Sequence, residues 1–215
     1  MDAVRRLDVI DGAMTGKVRT PGRPEIARDL IGRVEAAAAT WRASAHEREA
    51  DPEGIGQAPR HAIAADAQAL RRIVARLSGW PGRTLVGDDG CQAALTIALN
   101  SDHDLAFQLT LLHLLAEAVR RGDATTAQWA HLHDRCLVRS GRPQRYGTQY
   151  WLRDGQLEMY PVSDLAGLDQ QRASVGLPPR HDQAVLLKQH HLTEPGRAGA
   201  ASDAPAPALG ERTAA

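Results

Sequence analysis

The chain reads as a mainly α protein, an irregular helical bundle carrying one short β-hairpin between disordered termini. Three observations predict this. Apolar residues recur at steps of three and four through most of the sequence, the spacing that lines one face of a helix. Aromatics make up only 4% of the residues, with Phe107 the single phenylalanine, so the core has to come from Leu, Val, Ile and Ala. Ala and Leu are strong helix formers and lack β-branching. Third, the period changes on either side of Asp154-Gly155, a strong two-residue hairpin signal.

The elements follow in order. Met1 to about Gly22 has little periodicity and is expected to be flexible. A helix begins at Pro24, where a first-turn proline is tolerated, and Ile26, Leu30, Val34, Ala37 and Trp41 mark its apolar stripe. Asp51-Pro52-Glu53-Gly54 ends it with turn residues. A second helix covers His61 to Leu77, stopped by Gly79-Trp80-Pro81-Gly82. Asp88 or Asp89 caps a third, and Asn100-Ser101-Asp102 reads as its stop and as a fresh cap. Phe107, Leu111, Leu114, Leu115 and Ala118 then mark a fourth, closed by Arg120, Arg121 and Gly122. A fifth runs from about Thr125 to Val138 on a Trp129, Leu132, Cys136 stripe, and a short last helix spans about Ser163 to Ser174. From about residue 193 the chain is rich in Ala, Gly and Pro, the composition of a disordered tail. The expected organisation is a flexible segment over 1–22, a single helical domain over 23–192 and the tail over 193–215.

Charge and composition exclude several function classes. Lys+Arg and Asp+Glu are both 26, so no electrostatic pull toward nucleic acid is expected. The most apolar stretch, Leu105 to Val119, is interrupted by Gln108, His113 and Glu117 and is too short to span a bilayer. The first residues form no secretory signal, and Cys91 and Cys136 read as small buried hydrophobes in a reducing compartment. A cytoplasmic location is the expectation. Histidines at metal-ligand spacing, a serine-nucleophile elbow and a phosphate-cradling glycine loop are all missing, and no cofactor is implied.

Candidate chemistry concentrates in three places. The loop Gly141-Arg142-Pro143-Gln144-Arg145-Tyr146-Gly147-Thr148-Gln149 packs neutral donors and acceptors between rigid elements. If it is extended, Gln144 and Tyr146 share a side, and Gln149 joins them only if Gly147 turns the chain. On the fifth helix, Gln128, His131, Asp134 and Arg135 share a face separate from the apolar stripe. A carboxylate, an imidazole and a guanidinium there can handle protons or hold an anion, or be an ordinary solvated face. Asp102-His103-Asp104 opens the Phe107 helix, with Gln108 one turn on. Acids at that end complement the helix dipole, while His103 between two carboxylates has the makings of a base.

The order Gly79-Trp80-Pro81, Leu85-Val86-Gly87, Asp134-Arg135, Gly141-Arg142-Pro143-Gln144-Arg145-Tyr146-Gly147-Thr148-Gln149 and Val175-Gly176-Leu177-Pro178 resembles a bacterial domain-of-unknown-function family, frequent in actinobacteria. The resemblance spans about residues 70–179 and rests chiefly on Tyr146-Gly147-Thr148-Gln149. Family members carry Gln-His-Ala-Asp ahead of Phe-Gln, where this chain has Leu99-Asn100-Ser101-Asp102 ahead of Phe107-Gln108. The family histidine is therefore Asn100 here, a side chain that cannot shuttle a proton near neutral pH. The resemblance implies positions without a mechanism.

The reading that follows is a protein binding a small molecule or peptide, with acid–base or hydrolytic chemistry within its reach. Asp102, His103 and Asp134 are the catalytic candidates; Arg135, Gln144, Tyr146, Gln149 and Gln108 are the ligand-binding candidates; no metal is expected. The alternative is a non-catalytic helical interaction or accessory protein that has lost the family histidine. That alternative expects an apolar stripe exposed on the Ile26–Trp41 helix and a homo-oligomer.

Overall fold

The computed structural model describes residues 21–50, 57–153 and 156–182, with side chains over 21–40, 60–151 and 158–182. The expected flexible segment, the Asp51–Gly56 break, the Asp154-Gly155 turn and the C-terminal tail lie outside those residues, or nearly so. The described chain is mainly helical, in the order α1 Pro24–Ala50, α2 Gln57–Leu77, α3 Arg83–Leu99, α4 Leu105–Arg120, α5 Thr126–Arg139, β1 Tyr150–Arg153, β2 Gln156–Met159 and α6 Leu168–Ser174. Its one sheet is an antiparallel pair in which Tyr150 faces Met159 and Arg153 faces Gln156. Fold class and hairpin are as the periodicity predicts.

The core gathers around α3, which packs against α1, α2 and α5. Its inner residues are small: Cys91, Ala93, Ala94 and Ala98 are buried with Leu95 and Ile97. Small side chains let neighbouring backbones come close. A Cβ on Gly90 would sit 2.7 Å from Val86 and 3.3 Å from the Ala27 backbone of α1. Ile26 and Leu30 close that contact from the α1 side and are buried, whereas Val34 and Ala37 are only partly covered. The exposed stripe expected on this helix is thus corrected at its first half: those residues are core, because α1 lies along α3. The Trp41 side chain is outside the described set.

Four element boundaries differ from expectation: α2 starts at Gln57 instead of His61, and three others differ for a local reason. A helical turn at 83–86 precedes the body of the third helix, which follows Gly87 where Asp88 or Asp89 is expected to open it, and the first orphan N–H groups of that turn are capped from a distance. Asp123 accepts from the Arg83 N–H through its carbonyl at 2.8 Å and from the Thr84 N–H through its carboxylate at 2.7 Å. The turn then breaks at Gly87, whose φ of 73° leaves the helical region. The cap of α4 is Asp104, not Asp102: its carboxylate accepts the Phe107 N–H at 2.9 Å, and it also pairs with Arg71 at 2.6 Å. The last helix starts at Leu168 instead of Ser163, since Asp164 turns the chain by accepting the Gly167 N–H at 2.9 Å.

The start of α5 shows why Gln128 is not a surface residue. Thr125 and Gln128 form a reciprocal capping box. The Gln128 amide N–H also donates to Gln92 at 3.1 Å, and its oxygen lies 3.7 Å from the Cys91 thiol, which in turn accepts the Trp80 indole N–H at 3.3 Å. Trp80, from the breaker cluster, thereby becomes the largest fully buried side chain among the described residues. Burial pushes the Cys91 and Cys136 thiols up to about 11, which leaves them inert near neutral pH.

Candidate functional site

The polar face of α5 is covered by the loop that follows it. Asp134 is wholly buried, and its carboxylate is filled by that loop. It accepts the backbone N–H groups of Arg145 at 2.8 Å, Tyr146 at 3.0 Å and Thr148 at 3.1 Å, and the Thr148 hydroxyl at 3.0 Å. Successive N–H groups pointing inward make an anion-binding concavity, and here the anion is the protein's own side chain. His133 adds its Nδ1 at 3.6 Å from the same carboxylate.

Gln144 fastens the loop to the hairpin. Its amide N–H groups donate to the carbonyls of Gln149 at 3.0 Å and Tyr160 at 2.9 Å, and its amide oxygen accepts the Gln149 N–H at 2.8 Å. Gln144 and Tyr146 are both buried while Arg145 between them is exposed, as an extended segment requires. Gly147, with φ 63°, turns the chain so that Gln149 also faces inward. Arg172 of α6, fully buried, locks the turn by donating to the carbonyls of Tyr146 at 2.7 Å and Pro178 at 2.7 Å. The Tyr146 ring meets Trp129 and His133 edge-on, with centroids 6.2 and 5.8 Å apart.

A second cluster lies beside this frame. Arg135 forks onto Asp102, Nε donating to Oδ1 at 2.8 Å and Nη2 donating to Oδ2, while Nη1 lies 3.4 Å from the Gln149 amide oxygen. Gln108, fully buried on α4, donates from its amide nitrogen to the same Oδ1 at 3.2 Å and to the carbonyl of Ala98 at 3.0 Å. Arg139, one turn along α5, donates to the Asp102 carbonyl at 3.0 Å, and its Nε stands 4.0 Å from Oδ1. Side chains of α4 and α5 therefore meet at the carboxylate of the α3–α4 turn, and the loop joins through Gln149 on Arg135. Asp102 is 24% exposed and Arg139 25%, so the cluster reaches the surface.

The structure thus brings Asp102, Gln108, Arg135 and Gln149 together, and places Asp134, Gln144 and Tyr146 in the adjoining frame. It does not bring in His103, which is exposed on the turn. The carboxylates on either side of His103 face other partners, Asp102 toward Arg135 and Asp104 toward Arg71. Asn100, at the position of the histidine in the resembled family, is exposed at the end of α3. Three further side chains contribute: Arg139, Thr148 and Arg172. Arg139 was detectable, four residues past Arg135 on the same helix face. Thr148 lies in the same polar loop as Gln144 and Gln149. Arg172, in a short polar helix, carried no signal.

His131 is half-buried on α5, its carbonyl 3.3 Å from the Gln149 amide nitrogen. Burial drives its pKa down to about 4, against the pull of Asp134, with Arg172 adding to the drop. Tyr150 is pushed up by burial, and its hydroxyl is one of four buried side-chain atoms without a hydrogen-bond partner among the described residues. A cavity of about 380 Å³ lies elsewhere, between α1 and α2, where Arg33 spans Asp29 and Asp66. Burial raises the pKa of Asp66 there. Among the described residues no group of His, Cys, Asp and Glu is arranged to hold a metal ion, and no helix is long and apolar enough to cross a membrane.

No curated protein and no solved structure matches the chain. Residues 24–192 do match a family described as a "Family of unknown function (DUF6624)", a span that reaches well before Leu70, where the motif resemblance begins. It covers all the elements that build the frame and the cluster, and the chain belongs to this family of unknown function.

Proposed function

We propose that the chain binds a small molecule or short peptide at the Asp102–Arg135–Gln149 cluster. Asp134, Gln144 and Tyr146 serve this site as the frame that holds the loop. One observation carries the reading: polar side chains of α4 and α5 converge on Asp102, which stays partly open to solvent, and Gln149 of the loop joins them through Arg135. In this arrangement Asp102 accepts a ligand donor, Arg135 holds an anionic group, and the Gln108 and Gln149 amides orient the ligand. Proton transfer or hydrolysis, if the site turns over, falls to Asp102, since the Asp134 carboxylate is buried and occupied. The reading as an interaction protein draws less support, because Ile26 and Leu30 are spent on the core.

A thermal-shift screen of the full chain against metabolites and short peptides tests this, run beside Asp102→Asn and Gln149→Met. The expected result is a saturable rise in Tm for at least one ligand class, lost in both variants. A flat response across the panel, or the same rise in wild type and variants, removes the site.

A further inference from the structure

We propose, resting on the cluster being a ligand site, that it takes a small oxyanion, a carboxylate or phosphate group, at the outer edge formed by Arg139. Charge is the first reason. One carboxylate, Asp102, lies between two guanidiniums, Arg135 and Arg139, so the pairing leaves an excess positive charge. The next carboxylate on the turn, Asp104, is paired with Arg71 and does not offset it. The α5 C-terminal dipole accepts part of that charge, as last-turn arginines often do.

Geometry is the second reason. Arg139 Nε is buried yet has no hydrogen-bond partner, standing 4.0 Å from Asp102 Oδ1, too far for a hydrogen bond. A buried guanidinium N–H without an acceptor is costly, and the Arg139 side chain, 25% exposed, presents Nε to an oxyanion of matching charge by turning outward. Gln108 Oε1, on the amide whose nitrogen donates to that Oδ1, is also buried without a partner. Its amide cannot be flipped to cure this. The nitrogen faces the carbonyls of Ala98 and Leu99 and the Asp102 carboxylate, so a flip would set oxygen against three oxygens. Gln108 Oε1 is an acceptor and needs a donor, so the oxyanion itself answers only the Arg139 N–H. The backbone N–H concavity of the loop is no competitor for the anion, because Asp134 already fills it.

The test is a titration of the full chain with sodium phosphate and, separately, sodium acetate, each against sodium chloride at matched ionic strength. Binding is read by Tm and by the Arg139 Nε–H resonance, assigned by its disappearance in Arg139→Lys. The expected result is a saturable Tm rise and a shifted Nε–H signal with at least one oxyanion, the stronger of the two naming the group. Arg139→Gln should weaken that binding at least about tenfold, with Arg139→Lys between the two. Neither oxyanion acting beyond chloride, or Arg139→Gln binding as well as wild type, overturns the proposal. Should the Gln variant fail to fold, the Lys variant and the wild-type resonance decide. An uncharged ligand from the broader screen that is lost in Asp102→Asn, while both oxyanions fail, overturns only the oxyanion and leaves the binding site standing.

Discussion

Asp134 illustrates how one buried side chain can set the shape of a segment it is not part of. Three loop N–H groups and a hydroxyl converge on its carboxylate, and a carboxylate is the side chain with enough acceptor capacity to take them all. Replacing one oxygen with an amide NH₂ sets a donor against donors in a site closed to water. Asp134→Asn is therefore expected to lower stability by about 2–4 kcal/mol, measured by urea unfolding, since breaking buried charge-assisted bonds exposes the full desolvation cost. A loss below about 1 kcal/mol would mean the loop holds its shape without this anchor. At the same scale, the neutral polar residues of the loop did advertise themselves in the sequence, and their alternation gave the correct inward sides for Gln144 and Tyr146. What they contact could not be read, because a glutamine bonded to backbone and one facing a ligand have the same spelling.

Among the elements, capping at a distance governs where α3 begins. Gly82 precedes it, and a Cβ there would lie 2.1 Å from the Asp123 carboxylate that caps the helix. Gly82→Ala should displace that carboxylate and cost about 1–3 kcal/mol, by the combined loss of cap and fit. The measurement is a shift in the urea midpoint, with a further loss of amide-exchange protection at Thr84. An unchanged Thr84 amide would show that Asp123 is not the cap. Local patterns located α5 well because strong periodicity and a side-chain cap coincide there, and set the α4 cap two residues early, at Asp102 instead of Asp104. They missed the turn ahead of Gly87 in α3 and misplaced the start of the last helix, because those ends are set by Asp123 and Asp164 in ways no helix template contains.

The pH response belongs to the whole molecule, since packing from several elements creates the environment of His131. Its pKa is about 4 in the fold, against 6.5 for the free side chain, so the unfolded chain binds the proton more readily between those values. The stabilisation is fully present above pH 6.5 and is lost as the pH falls toward about 4. The loss is up to about 3 kcal/mol, reduced by whatever solvent reaches the partly exposed ring. Comparing urea midpoints of wild type and His131→Gln at pH 7 and pH 4.5 isolates this contribution from other titrating groups. Equal slopes in the two proteins would show that His131 is not held neutral by burial.

Periodicity and turn chemistry, both properties of neighbouring residues, were enough to establish the helices, the hairpin and the polarity of the loop. The tertiary structure alone decided which carboxylate met which partner: Asp134 turned into the loop, Asp102 across to Arg135 and Arg139, and Asp104 back to cap α4 and hold Arg71. The reason is physical. Backbone conformation responds to the few residues on either side, whereas the state of a charged group depends on every charge and every absent water around it in space.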